Sequence, residues 1–97
     1  MTFEDLEQKV ISWGIDKGIT DAKAQVKKLA EEYNELASAI RNNDFVESVD
    51  GIGDMLVVLT MISHIIGTDL KHCYRSAYET IKNRKGKTIN GIFIKEQ

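Results

Sequence analysis

A chain of 97 residues with a formal net charge of −2 has room for one domain but buries only a modest fraction of its surface when alone, so partners of its own kind are expected. The charge balance argues against a nucleic-acid surface, which needs a clustered basic excess. The longest apolar run, Met55 to Ile66, is broken by Thr60, Ser63 and His64 and is too short to span a bilayer, so no membrane partner is expected.

Hydrophobic residues make up 42% of the chain, charged residues 29%, and proline is absent; with long periodic segments this predicts an all-α fold. Cys73 is the one cysteine and cannot form an internal disulfide, which suits a reducing, cytoplasmic compartment. The opening Met-Thr-Phe-Glu-Asp-Leu carries acids where a signal peptide would carry bases, so export is not expected.

Thr2 and Asp5 resemble a capping signal, after which Phe3, Leu6, Val10 and Trp13 recur at helical spacing in a first helix expected to end near Gly14. A loop over 15–19 follows, and Thr20 or Asp21 caps the second helix. Ala22, Val26, Leu29, Ala30, Tyr33, Leu36, Ala37 and Ile40 supply its apolar stripe. It should stop around Arg41-Asn42-Asn43. Asp44 then caps a third helix, with Glu47 completing an Asp-x-x-Glu box, and Gly67 closes it. Thr68 or Asp69 caps a fourth helix carrying Leu70, Cys73, Ala77 and Ile81, which ends before Gly86. In the tail, Asn90-Gly91 between β-branched residues predicts a small hairpin over 87–95. A two-stranded hairpin is marginal alone, so it should lie on the bundle or on a neighbouring subunit.

Two acidic clusters flank the loop between the second and third helices. Carboxylates at i, i+3 and i+4 project from one side of a helix, so Glu32/Glu35 form one pair and Asp50/Asp54 another. Two such pairs face to face make an oxygen cage suited to Mg²⁺ or Mn²⁺. A Glu-Glu-x-x-Glu run is most often only a solvated face, and Glu35 lies roughly opposite the apolar stripe of its helix. The third helix, by contrast, is apolar nearly all round and has no polar face to spare, so Asp50 and Asp54 are expected against protein, with dimerisation supplying part of the cover. Carboxylates packed together raise one another's pKa unless a cation neutralises them. Gly51 and Gly53 cost the third helix roughly 1 kcal/mol each relative to alanine, which marks them as packing or access features.

The segment Lys82-Asn83-Arg84-Lys85-Gly86-Lys87 reads either as bases that complement a helix dipole or as a clamp for phosphate oxygens. His64 is expected to be a core histidine, since no second His or Cys stands at metal spacing. Trp13 is a core residue or a ring that could stack on a base. There is no glycine-rich phosphate loop, no Ser-His-Asp set and no zinc spacing.

Lys-Leu-Ala-Glu-Glu-Tyr-Asn-Glu-Leu at 28–36 and Val-Asp-Gly-Ile-Gly-Asp-Met-Leu-Val-Val-Leu at 49–59 resemble the paired acidic motifs of the MazG-like, all-α nucleoside triphosphate pyrophosphohydrolases, the small phage-type members especially. The likeness covers most of the chain as a single domain and includes Gln25-x-x-Lys28 and the basic segment. It implies a four-helix bundle completed by oligomerisation to a dimer or tetramer, with the hairpin or an extended tail following. It also implies hydrolysis of a (deoxy)nucleoside triphosphate to monophosphate and pyrophosphate. Matched by position, Glu32, Glu35 and Asp54 would bind metal. The usual glutamate three residues before the last aspartate is Gly51 here, with Asp50 or Glu47 as its substitute. Glu31 or Glu35 would take a proton from the attacking water. Lys28, Lys82, Asn83, Arg84, Lys85, Lys87 and Trp13 are the substrate-binding candidates. The competing expectation is an idle helical dimerisation or adaptor module whose acids are surface.

Overall fold

The computed structural model describes residues 1–97 as four helices and one hairpin: α1 (Phe3–Asp16), α2 (Ala22–Arg41), α3 (Phe45–Ile65), α4 (Leu70–Ile81), β1 (Gly86–Ile89) and β2 (Ile92–Lys95). This is the all-α architecture expected from the sequence. Each helix starts on a side-chain cap that satisfies backbone N–H groups otherwise left without partners. Thr2 and Asp5 form a reciprocal box, with both bonds at 3.0 Å. Asp21 accepts from Ala24 N, Asp44 from Glu47 N and Asp69 from His72 N. At α3 the box is half made, because Asp44 accepts from Glu47 N while Glu47 returns no bond.

Three helix ends close in the same way. Gly18, Asn43 and Gly67 take left-handed φ values of 78°, 53° and 93°. The residue after each donates its N–H back into the last turn: Ile19 to Gly14 O, Asp44 to Ala39 O and Thr68 to Ser63 O. Gly14 therefore does not end α1, which continues to Asp16. It is buried inside the helix, where a Cβ would overlap Met61 Sδ. Read along the chain it looks like punctuation; in the fold it is the notch that seats a fully buried methionine.

The most extensive packing is between α2 and α3, which run antiparallel; α1 lies against α3, and α4 touches α3 more lightly. The axes of α3 and α4 meet at 98°, and no single helix is long and apolar enough to cross a membrane. The buried apolar residues are Ile11, Ala39, Val58 and Met61. Such a core is small for a helix as apolar as α3, and Val46, Val49, Ile52 and Leu56 on it stay exposed. No residue of α4 is buried.

The hairpin forms where Asn90-Gly91 directs it, with both residues at positive φ and Ile89 paired with Ile92. It does not lie on the bundle: every residue of both strands is exposed. His64, expected in the core, is also exposed, because it occupies the last turn of α3 on a side that no other helix covers.

Candidate active site

The faces of α1 and α2 that turn inward differ from those on which the largest apolar residues stand. On α2 the inward series is Ala22, Gln25, Leu29, Glu32, Leu36 and Ala39, all buried or half-buried at the spacing of a helix seam. Val26, Tyr33 and Ile40, from the stripe expected in the core, are 56%, 59% and 58% exposed. Glu32 thus occupies a core position by helical phase. On α1 the same rotation turns Glu7, Ile11 and Gly14 inward and leaves Phe3, Leu6 and Trp13 about half exposed.

Glu32 meets its neighbours from that buried position. One carboxylate oxygen of each of Glu32, Glu35 and Asp54 lies within 4.8 Å of the others. Glu32 is 6% exposed, while Glu35 and Asp54 open to solvent. Glu32 Oε1 lies 3.2 Å from Lys28 Nζ, and Lys28 reaches Glu31 at 3.4 Å. Glu32 Oε2 is buried with no hydrogen-bond partner. A buried acceptor without a donor carries a desolvation cost of about 1–3 kcal/mol, and a hard cation would remove it. The negative charge of Glu32 beside it raises the pKa of Glu35, with its own desolvation and the Asp54 charge acting in the same direction. The two carboxylates beside Lys28, Glu32 foremost, raise the pKa of that lysine. Three carboxylates, one with a buried idle oxygen and one resisting ionisation, fit a divalent ion such as Mg²⁺ or Mn²⁺ better than they fit one another.

Asp50 does not join them, and the expected four-carboxylate cage is a three-carboxylate cluster. The reason is axial. Gly51 packs against Leu36, where its Cβ would sit 3.2 Å from the Leu36 Cα. With the helices antiparallel, Asp54 then stands level with about Tyr33, between Glu32 and Glu35, and Asp50 stands about one 5.4 Å turn away. Gly51 itself faces the α2 backbone, so a glutamate at that position could not enter without moving α2. Glu47 lies a further turn toward the start of α3, exposed and outside the cluster. Asp50 and Asp54 are both exposed in the single chain, not packed against protein as expected.

Asp50 instead lines a cleft of about 540 Å³ between α1 and α3. Phe3, Leu6 and Val10 form one wall and Val49, Leu56 and Val57 the other, and Asp54 sits where the cleft meets the acid cluster. Glu7, which the sequence reading passed over, is buried at this cleft and accepts from Leu70 N at 2.9 Å, fastening the start of α4 to α1. Lys71 and Glu4 add a 2.8 Å ion pair at the same junction. The signal for Glu7 was its phase, four residues before Ile11 and seven before Gly14 on the inward face.

The basic segment is elsewhere. Lys82 pairs with Glu79, and Asn83, Arg84 and Lys85 border a polar hollow with Lys95 and the chain end. No ion pair or hydrogen bond joins Lys82, Arg84, Lys85 or Lys87 to Glu32, Glu35 or Asp54, and α2 makes no extensive contact with α4 or the hairpin. Trp13 lies outside the acid cluster and outside the cleft.

Comparison with curated proteins and with solved structures returned no match. Among protein families, residues 21–89 match the one described as the MazG nucleotide pyrophosphohydrolase domain. That span holds both acidic helices, α4 and the basic segment, and covers more than half of the chain. The chain belongs to the MazG nucleotide pyrophosphohydrolase domain family.

Proposed function

We propose that this protein hydrolyses (deoxy)nucleoside triphosphates to the monophosphate and pyrophosphate, with the triphosphate held at Glu32, Glu35 and Asp54 through Mg²⁺ or Mn²⁺. The observation that carries the reading is the convergence of three carboxylates around the buried, partnerless Oε2 of Glu32. A divalent ion bound there would neutralise the acids and polarise the phosphate oxygens. Glu32 anchors the site from the α2–α3 seam, and Lys28 orients it through the 3.2 Å contact with Oε1. Glu35, which faces solvent at the open side of the cluster, takes the proton from the water that attacks phosphorus. Glu31, exposed and held by Lys28 at 3.4 Å, is the second candidate base. The proton then leaves to solvent as pyrophosphate departs.

Lys82, Asn83, Arg84, Lys85 and Lys87 are the groups suited to the departing pyrophosphate, through charge-assisted hydrogen bonds. The single chain does not bring them to the acids, so a second copy supplies them. The exposed outer face of α2, the uncovered α4 and the free hairpin are surface that such a homodimer or homotetramer would bury. The test is pyrophosphate release from a panel of NTPs and dNTPs with Mg²⁺ or Mn²⁺, alongside Glu35→Gln and Asp54→Asn. Metal-dependent release that both variants lose supports the reading. No release from folded protein with any nucleotide or metal moves it to a binding module.

A further inference from the structure

The acid cluster accounts for a triphosphate and leaves the nucleoside without a place. The α1/α3 cleft begins at Asp54, which belongs to both features. Its volume of about 540 Å³ falls within the range of small-molecule sites, roughly 300–1,000 Å³. Its walls are apolar, and its polar groups are of one kind. Glu7, Asp50 and Asp54 are acceptors when ionised, and the Thr60 hydroxyl already donates to Leu56 O at 2.7 Å, leaving it only to accept. No lysine, arginine or histidine lines the cleft. No cationic side chain is there to take a phosphate directly, and an apolar ring that offers hydrogen-bond donors matches these walls and acceptors. An apolar helix of a second copy fits less well, since it would strand these carboxylates under a surface without donors. The outer stripe of α2, with Val26, Tyr33 and Ile40, offers such a helix an acid-free surface instead.

We propose that the α1/α3 cleft binds the nucleoside of the substrate and that Asp50 determines base specificity, accepting a hydrogen bond from an amino group on the base. This rests on the pyrophosphohydrolase reading for its substrate class. It gives the one acid of the pair on α3 that stays out of the cluster a separate task. Gly53 supplies the experimental handle: it lines the cleft, and a Cβ built there meets nothing within 4 Å, so a side chain at 53 enters the cleft without displacing the bundle.

The test uses matched pairs that exchange an amino group for a carbonyl, CTP with UTP and ATP with ITP, with inorganic tripolyphosphate as the substrate without a nucleoside. Pyrophosphate release is followed for the wild type, Asp50→Asn and Gly53→Leu. Calorimetric binding of the α,β-methylene analogues with Mg²⁺ reads the cleft without turnover, and solution mass is recorded throughout. Gly53→Ala reports by its melting temperature that α3 accepts a side chain. In the wild type, kcat/KM favours the amino member of each pair by tenfold or more. Asp50→Asn removes or inverts that preference, and Gly53→Leu raises nucleotide KM at least tenfold relative to tripolyphosphate.

Equal treatment of both members of each pair by the wild type and Asp50→Asn overturns the proposal. So does a Gly53→Leu protein that keeps wild-type nucleotide KM, or one that changes its mass, since a second copy would then fill the cleft. Pyrophosphate release with indifferent cleft variants removes the cleft alone. Analogue binding that depends on Asp50, without release from any nucleotide, keeps the cleft and removes the hydrolysis. A wild type that neither binds nor cleaves removes both.

Discussion

The acidic cluster and the basic segment are the two charged features of this chain, and the fold treats them oppositely. Glu32, Glu35 and Asp54 come from two helices and are brought together by the most extensive interface in the molecule. Residues 82–87 follow a helix with no buried residue, adjoin an exposed hairpin and stay apart from the acids. One chain is enough to bring the three carboxylates together. It does not bring the basic segment to that cluster, and on the proposed reading a second copy would supply the missing half.

The largest effects should come from the assembled half. Asp54→Asn and Glu32→Gln are expected to lower metal-dependent pyrophosphate release by about 10²-fold or more, the scale on which a single strong electrostatic group acts in catalysis. The two should part in a melt without metal. Asp54 is exposed, so its replacement leaves stability nearly unchanged. Glu32→Gln removes a buried charge whose Oε2 has no partner and should stabilise the metal-free protein by roughly 1 kcal/mol. A Glu32→Gln protein that melts earlier would show that the carboxylate serves the fold rather than a cation.

The next effect probes the unassembled half. Arg84→Ala with Lys85→Ala should cost about 10-fold to 100-fold in kcat/KM, the equivalent of about one charge-assisted hydrogen bond. When this variant is refolded together with Asp54→Asn, activity should return, because mixed oligomers then contain sites with intact acids from one chain and intact bases from the other. Activity that stays at the level of the separate variants would place both halves in the same subunit.

Much of this was legible in the sequence, and what was not has a physical cause. Capping residues marked the helix starts at Thr2 and Asp44 and narrowed the other two to Thr20 or Asp21 and Thr68 or Asp69, where the structure uses the aspartates, because local hydrogen bonds decide them. Asn90-Gly91 fixed the hairpin for the same reason. The inward face of α2 was not legible: Val26, Tyr33 and Ile40 outweigh Gln25 and Glu32 in apolarity, yet the second set faces α3. Apolar periodicity marks surface that will be buried somewhere and does not distinguish burial in the chain from burial against a copy of it. Asp50 was misplaced by a related limit, since spacing along one helix gives angular phase, while the level reached on the neighbouring helix depends on where Gly51 meets Leu36. Glu7 was missed because its partner, Leu70 N, is 63 residues away.

That contact between Gly51 and Leu36 carries a smaller prediction. Gly51→Glu restores the residue type familiar from related acidic motifs, and by sequence alone it should strengthen metal binding. Its Cβ would instead press on the Leu36 backbone at 3.2 Å, so it is expected to destabilise the fold by about 1–3 kcal/mol, as overpacking does. Metal affinity should not improve. Tighter binding of Mn²⁺ by a folded Gly51→Glu protein would mean that α2 and α3 can re-register to admit a fourth carboxylate.

The smallest effect is the pH response of the cluster itself. Glu35 has its pKa raised in the folded chain, first by the charge of Glu32 and then by desolvation. A carboxyl whose folded pKa exceeds its unfolded one binds more protons when folded, so its contribution to stability is present at low pH and lost as pH rises through the folded value. In metal-free protein the melting temperature should therefore decline slightly as pH climbs from the ordinary glutamate range to just above it. Glu35→Gln should flatten that decline. Glu4 and Asp5, lowered by Lys71 and by Thr2 respectively, act in the opposite sense and only below the ordinary carboxylate range, so the two windows separate on a pH scan. Saturating Mg²⁺ should remove the Glu35 decline as well, since a cation that displaces the proton leaves no unfavourable ionisation to relieve. The same exchange requires that Mg²⁺ affinity weaken as pH falls through the raised Glu35 value. A melting profile identical with and without Mg²⁺ across that window would leave the repulsion between Glu32 and Glu35 uncompensated, and with it the reading of these acids as a cation site.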